Sequence, residues 1–224
     1  MLEAAVLVVA VMVLHRQLRA ASTTAPQPAF VPKKVSPQLA QLTDYANRLF
    51  TEKKWLAAEK AYLNILKLDH KHLTAYTHLG VIYSAQRNLS DAIECFEMAA
   101  RLRPGGNSLQ NLGLAYLENR NYMKSVAAFE KAIMLEPTAP RYVGLSRAYR
   151  KLSNLPEAVK SLEKAVERDA SKRNLHQLAE AYDDSKQTAQ AQATWRRLHE
   201  LDPGNVLAAG KVGVHLPAQP AADA

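Results

Sequence analysis

One cysteine, Cys95, stands in a chain of 224 residues, so neither an internal disulfide framework nor a paired-cysteine zinc motif can be built. The sequence also lacks a Gly-rich phosphate loop, a His-Glu-x-x-His pair and a Gly-x-Ser-x-Gly elbow, the marks of nucleotide binding, zinc peptidases and serine hydrolases. Gly105-Gly106, between Pro104 and the next helical pattern, reads as a turn. His70, His72 and His78 lie close together, but without a carboxylate or cysteine at ligand spacing they do not make a metal site. No enzyme activity, cofactor or metal is expected. The formal charge of +8 is spread through segments of mixed sign, without the dense basic stripe of a duplex-binding surface, so nucleic acid is a poor fit as partner. Nor does any stretch signal a strand. Long apolar runs are scarce as well: one unbroken stretch runs from Ala4 to Leu14.

Repetition dominates the rest of the chain. One column of equivalent positions reads Leu49, Tyr83, Tyr116, Tyr149 and Tyr182, and another Ala58, Ala92, Ser125, Ala158 and Ala191. A third reads Tyr62, Phe96, Phe129, Leu162 and Trp195, and a fourth Ile65, Ala99, Ala132, Ala165 and Leu198. Each column steps by 34 residues and then three times by 33. A fixed period of this length marks a solenoid of helical hairpins, in which no unit buries its apolar face alone. Spacings of three, four and seven keep the columns on one helix face. Small residues let paired helices approach, and aromatics are expected to fill the gap between one hairpin and the next. Asn88, Asn121, Asn154 and Ser185 break paired helices apart, while Pro104, Pro137 and Pro203 follow second helices. The pattern predicts helix pairs at 38–52/55–68, 72–86/89–102, 106–119/122–135, 139–152/155–168 and 172–185/188–201.

These residues resemble the tetratricopeptide repeat family over roughly 37–203. The second unit carries its whole pattern: Tyr76, Leu79-Gly80, Tyr83, Ala92, Phe96, Ala99 and Pro104. The third follows with Leu112-Gly113, Tyr116, Phe129, Ala132 and Pro137, Ser125 replacing the small alanine. Ala46, Ser146 and Ala179 stand where the family prefers glycine, and His70 and Ala170 where it prefers proline. With Tyr149, Ala158, Tyr182, Ala191, Trp195 and Pro203, these positions form the repeat framework. The resemblance implies an all-α fold, a right-handed α-α superhelix of five helix-turn-helix repeats at about 38–71, 72–105, 106–138, 139–171 and 172–204.

The ends read differently. Residues 1–19 are expected to form an N-terminal hydrophobic helix, a membrane anchor with Arg16 and Arg19 snorkelling to headgroups. Positive charge follows the apolar run rather than preceding it, which disfavours a cleaved signal and places the repeats on the cytoplasmic side. The alternatives are an unprocessed, signal-like helix, a hydrophobic helix that packs on the array, and an exported protein. Residues 20–36 contain three prolines and read as a flexible linker. Residues 204–224 read as a helical stub and tail that cap the last hairpin poorly, leaving self-association possible.

Function is then expected in surface recognition. In this family the first helix of each pair lines a concave groove, and the resemblance carries the groove positions onto Asn47, Thr77, Val81, Gln110, Leu114, Arg147, Arg150 and Lys151, with Thr43, Phe50, Thr74, Ser84, Asn107, Leu117 and Val143 beside them. His176, Glu180, Asp183 and Asp184 would make the fifth unit acidic, the two aspartates reading as a solvated pair at a helix end. Amide and hydroxyl groups suit an extended peptide, and Arg147 with Arg150 suits a carboxylate unless Glu180, Asp183 or Asp184 neutralises them first. The five-residue set with which co-chaperones of the family hold a C-terminal carboxylate is not matched. Thr43, Val81, Asn107 and Asn111 replace four of its members, and Asn47 alone fits. The expected function is a membrane-tethered scaffold that binds peptide segments of partner proteins. The alternatives are a self-associating platform and, more weakly, a nucleic-acid-associated solenoid.

Overall fold

The computed structural model describes residues 37–213. The expected anchor over 1–19, the linker over 20–36 and the end of the tail lie outside the described residues. Among those described, the chain is helical throughout, with no strand. Five hairpins follow one another: α1 (Pro37–Thr51) with α2 (Trp55–Leu68), α3 (Leu73–Ala85) with α4 (Leu89–Leu102), and α5 (Gly106–Glu118) with α6 (Tyr122–Leu135). Then come α7 (Ala139–Lys151) with α8 (Leu155–Arg168), α9 (Lys172–Asp184) with α10 (Thr188–Leu201), and a short α11 (Val206–Val212). No end of the ten long helices departs from the expected spans by more than one residue. None of the described helices is long and apolar enough to cross a membrane.

The turns inside the hairpins are made by one device, repeated five times. Lys53, Arg87, Arg120, Ser153 and Lys186 all adopt left-handed backbone, with φ of 57°, 63°, 59°, 59° and 59°. At each, the next residue's N–H reaches five residues back to the helix, as from Asn121 to the Tyr116 carbonyl at 2.8 Å and from Asn154 to the Tyr149 carbonyl at 2.9 Å. This is a Schellman closure, normally built on glycine. The backbone carbonyls of the same Asn121 and Asn154 then accept the first bonds of α6 and α8, so one short turn ends one helix and starts the next.

Packing within a hairpin turns on glycine against a ring. A Cβ at Gly80 would lie 2.6 Å from the Phe96 ring, so the two helices of the second unit meet closer than an alanine allows. Phe96 thus presses into its own hairpin, not only between hairpins as the columns suggest. Phe129 does both: its fully buried ring lies against Gly113 of its own unit and Gly144 of the next. Ser125, the polar member of the small column, stays buried because its hydroxyl donates to the Gly113 carbonyl at 2.7 Å.

A ladder joins successive units. The tyrosines of the first column donate backwards to glutamates of the preceding second helix: Tyr116 to Glu97, Tyr149 to Glu130 at 3.0 Å, and Tyr182 to Glu163 at 2.6 Å. In the first unit Leu63 occupies the glutamate's place, and Tyr83 reaches Glu59, one turn earlier, at 3.4 Å. Burial first, then the neighbouring carboxylate, pushes the Tyr116 and Tyr149 hydroxyls up to about 12, so both remain donors.

Arg141 pins the joint between units three and four. Its side chain is 2% exposed, donates to the Glu136 carbonyl and to Asn107 Oδ1 at 2.9 Å, and pairs with the Glu136 carboxylate at 2.7 Å. The guanidinium fills the space over Gly106, which begins α5 and is more than the turn residue expected from sequence. One repeat later Asn174 does the same work, its amide donating to the Asp169 carbonyl at 2.8 Å and to the carboxylate at 3.0 Å.

Candidate functional site

The first helices α5, α7 and α9 share a face with two adjoining hollows. One, of about 280 Å³, has a floor of Leu114, Pro140, Val143 and Gly144, with Gln110, Arg147, Asp169, Ser171, Arg173 and Asn174 around it. The other, of about 460 Å³, is lined by Leu117, Glu118, Arg147, Arg150 and Lys151. Arg147 borders both. Spacings of three and four along α7 put Val143, Arg147, Arg150 and Lys151 on one side of that helix.

The candidate cations fall into two groups. Arg150 donates to Asp184 Oδ2 at 2.9 Å, across to α9. Arg147 and Lys151 are exposed and have neither an ion pair nor a side-chain hydrogen bond among the described residues. The fifth unit's acids are mostly engaged. Asp183 accepts from Lys211 of α11 at 2.7 Å and from Trp195 Nε1 at 3.0 Å, and these donors, Lys211 first, hold its carboxyl below the usual range. Asp183 is thus half-buried and held by two donors, while Asp184 is exposed, as expected of a solvated helix end, and joins Arg150 in a surface ion pair. Glu180 lies 3.7 Å from His176.

The N-terminal candidates are engaged internally. Asn47 Oδ1 accepts from the Tyr62 hydroxyl at 2.8 Å, and the same hydroxyl lies 2.6 Å from His78 Nδ1. Phe50 stacks on His78 with ring centres 4.2 Å apart and meets Trp55 edge-on at 5.5 Å. Burial lowers the His78 pKa, with His72 adding to the effect, so the ring is neutral in this aromatic cluster. Thr77 turns its hydroxyl to the Leu73 carbonyl at 3.0 Å, and Val81 packs on the cluster around Phe96 and Leu112. These four residues sit on first helices, yet their side chains serve mainly their own array, and Asn47 also borders a separate hollow of about 420 Å³ with Asp44, Arg48, Thr51 and Glu52. Gln110 and Leu114 line the hollow of about 280 Å³ instead.

Sequence reasoning missed Arg173, Pro140 and Glu118 at this face. All three stand at groove positions of the repeat and could have been found by completing the columns. Arg141 had no such signal, because its column reads Ala75, Ser108, Arg141 and Asn174. On the opposite, second-helix side, a hollow of about 250 Å³ is lined by Ile133, Met134, Tyr142 and Tyr149 with Lys160 and Lys164. Cys95 is half-buried, and burial with Asp91 and Glu94 pushes its thiol up to about 12, so it is not a thiolate.

Comparison with known proteins agrees with the repeat reading. Family models described as "Tetratricopeptide repeat" match residues 44–107, 111–173 and 173–205. The chain belongs to the tetratricopeptide repeat family. Its fold is similar to that of MamA from Desulfovibrio magneticus RS-1, at 15% identity, with a TM-score of 0.70 over 77% of this chain and 99% of that one. It is also similar to YrrB, described as "a TPR protein with an unusual peptide-binding site", at 19% identity and a TM-score of 0.65 over 77% of this chain and 91% of YrrB. At these identities the likeness shows the fold alone. The "Transcription factor tau 131 kDa subunit" of Saccharomyces cerevisiae is 34% identical over 68 residues, which is 30% of this chain and only 7% of the yeast subunit.

Proposed function

We propose that this chain is a protein-interaction scaffold, not an enzyme, which holds a peptide-like segment of a partner along the first-helix face of units three to five. The observation that carries this reading is the pair of adjoining hollows bordered by Arg147. They combine an apolar floor with hydrogen-bonding groups and with cations that lack an intramolecular partner among the described residues. Peptide recognition by an extended groove needs that combination: apolar area for affinity, and polar groups that meet backbone and charged side chains. The N-terminal apolar run would tether the scaffold to a membrane, with the repeats on the cytoplasmic side. Photo-crosslinking tests the reading: a benzoylphenylalanine at Gln110 should capture partner peptides, while one at Lys131 on the second-helix side should not. Capture at Lys131 alone would move recognition to the opposite face.

A second reading, self-association through the last hairpin, has its own observation. On α11, Val206 is 73% exposed and Leu207 46%, beside the exposed Leu201 of α10. Light scattering across a concentration series tests it, since an oligomer built there dissociates on dilution. Nucleic acid is the weakest reading.

A further inference from the structure

We infer that the segment bound on the first-helix face is acidic, with a carboxylate side chain seated between Arg147 and Arg173 and a small apolar side chain on the Leu114–Val143–Gly144 floor. This rests on the reading of that face as a peptide groove. The charges around it decide the sign of the ligand. The sequence alone sets a basic fourth unit beside an acidic fifth, which would favour a partner of mixed charge. In the folded chain two of the three fifth-unit carboxylates on α9 are taken internally, Asp184 by Arg150 and Asp183 by Lys211 with Trp195, while Glu180 lies beside His176 and lines neither hollow. Lys172, next to Arg173, is drawn off to Asp202 at 3.3 Å. Arg147, Lys151 and Arg173 remain, exposed and unpaired among the described residues.

Two carboxylates border the same region. Asp169 is held in place by the Asn174 amide at the joint between units, which fixes it to the turn. Glu118 has no partner among the described residues and lies in the second hollow with Arg147, Arg150 and Lys151. Each hollow thus holds one carboxylate, and what favours the first for the ligand's carboxylate is its two guanidiniums, Arg147 and Arg173, unpaired among the described residues, over an apolar floor. Guanidinium groups suit this role, because each offers two parallel N–H donors to one carboxylate. Three cations are too few to follow a phosphate backbone, and no aromatic side chain lines either hollow to stack a base.

The test is a selection from a random peptide phage library on the immobilised full-length chain, followed by fluorescence polarisation with the enriched peptides. We expect enrichment in Asp and Glu and affinity that falls with added salt. Arg147→Ala and Arg173→Ala should each weaken binding about tenfold without shifting thermal unfolding, the loss of one charge-assisted contact. Glu118→Gln should tighten it. Peptides that are neutral or basic, yet still blocked by a crosslinker at Gln110, would overturn the acidic assignment and leave the groove standing. Peptides insensitive to every substitution on this face would overturn the groove as well. A single-stranded oligonucleotide that displaces the peptide, with the same dependence on Arg147 and Arg173, would assign the cations to phosphate and also overturn the inference.

Discussion

The Phe129 ring is boxed between two glycines, and that makes the joint between units three and four the most sensitive place to add one carbon. A Cβ at Gly113 would meet three ring atoms at 3.0–3.1 Å. A Cβ at Gly144 would meet one ring atom at 3.0 Å and two others closer still. Carbon atoms settle at about 3.5–4.0 Å, so Gly113→Ala asks for a few tenths of an ångström and Gly144→Ala for about 1 Å. The ring has nowhere to retreat, because moving off Gly144 drives it into Gly113. Overpacking costs roughly 1–3 kcal/mol, and Gly144→Ala belongs at the top of that range and Gly113→Ala at the bottom. Both substitutions also gain roughly 0.5–1 kcal/mol, since alanine is the better helix former. The net expectation is a loss of about 2 kcal/mol for Gly144→Ala and about zero for Gly113→Ala.

Thermal and urea unfolding followed by circular dichroism would measure this, with tryptophan fluorescence as a second probe. In a chain of this size about 2 kcal/mol lowers Tm by roughly 4–8 °C. The two tryptophans, Trp55 in unit one and Trp195 in unit five, stand on either side of the damage. If the array unfolds as one cooperative unit, both probes shift together. The ring itself is tested by Phe129→Leu: combined with Gly144→Ala it should recover at least about 1 kcal/mol relative to additivity. A Gly144→Ala chain as stable as the parent, or a strictly additive double variant, would refute the close contact between α6 and α7.

Four further outcomes are expected. Replacing the left-handed turn residues with glycine, as in Arg120→Gly or Ser153→Gly, should stabilise by roughly 0.5–1 kcal/mol each, because relief of the left-handed strain exceeds the added unfolded-chain entropy; a drop in the urea midpoint would count against the turn geometry. Arg141→Ala should cost roughly 1.5–3 kcal/mol through its lost charge-assisted bonds, and Arg141→Asn should cost less in the same urea titration, since Asn174 shows that an amide can hold the same turn one repeat later. His78, lowered by burial, binds protons more readily in the unfolded chain, so its contribution is full above about pH 6.5, erodes as pH falls through that value, and is gone below its lowered folded value; the urea midpoint between pH 7 and pH 5 should fall less in His78→Gln. If the N-terminal run is an anchor, the full chain should resist carbonate extraction from membranes while residues 37–224 stay soluble, and external protease should spare the repeats; digestion would reverse the orientation.

How much of this was legible in the sequence depends on how local the determinants are. Hairpin positions were readable because each rests on residues within a single unit: a small residue where helices cross, an aromatic one turn away, a breaker between them. The turn device was hidden, because Lys53, Arg87, Arg120, Ser153 and Lys186, four of them basic, include none of the glycine or asparagine that usually marks left-handed backbone. The tyrosine–glutamate ladder lay half in view. Its two columns are each regular, but only the superposition of one unit on the next shows that Tyr149 meets Glu130, nineteen residues earlier.

Charge was the least legible property, for a physical reason. Arg150 and Asp184 are thirty-four residues apart, about one repeat, so the same periodicity that creates the face also brings opposite charges on successive first helices into register. A linear reading sets a basic fourth unit beside an acidic fifth and leaves open whether they neutralise one another, whereas the folded array makes Arg150 and Asp184 one neutral pair. The pairing has a directional consequence. α11 supplies Lys211 to Asp183 from beyond the last complete hairpin, so the short helix that reads in sequence as a poor cap also neutralises an acidic charge of the fifth unit. Without the Lys211 ammonium, Asp183 would keep the Trp195 indole as a donor but would have no cation. His176, two turns earlier on α9, lies beside Glu180 instead. The carboxylate would stay uncompensated and add to the Glu180 charge of the fifth unit, with no change in Arg147, Lys151 or Arg173. The charge balance at the fifth unit's end of the first-helix face therefore depends partly on a helix that belongs to none of the five repeats.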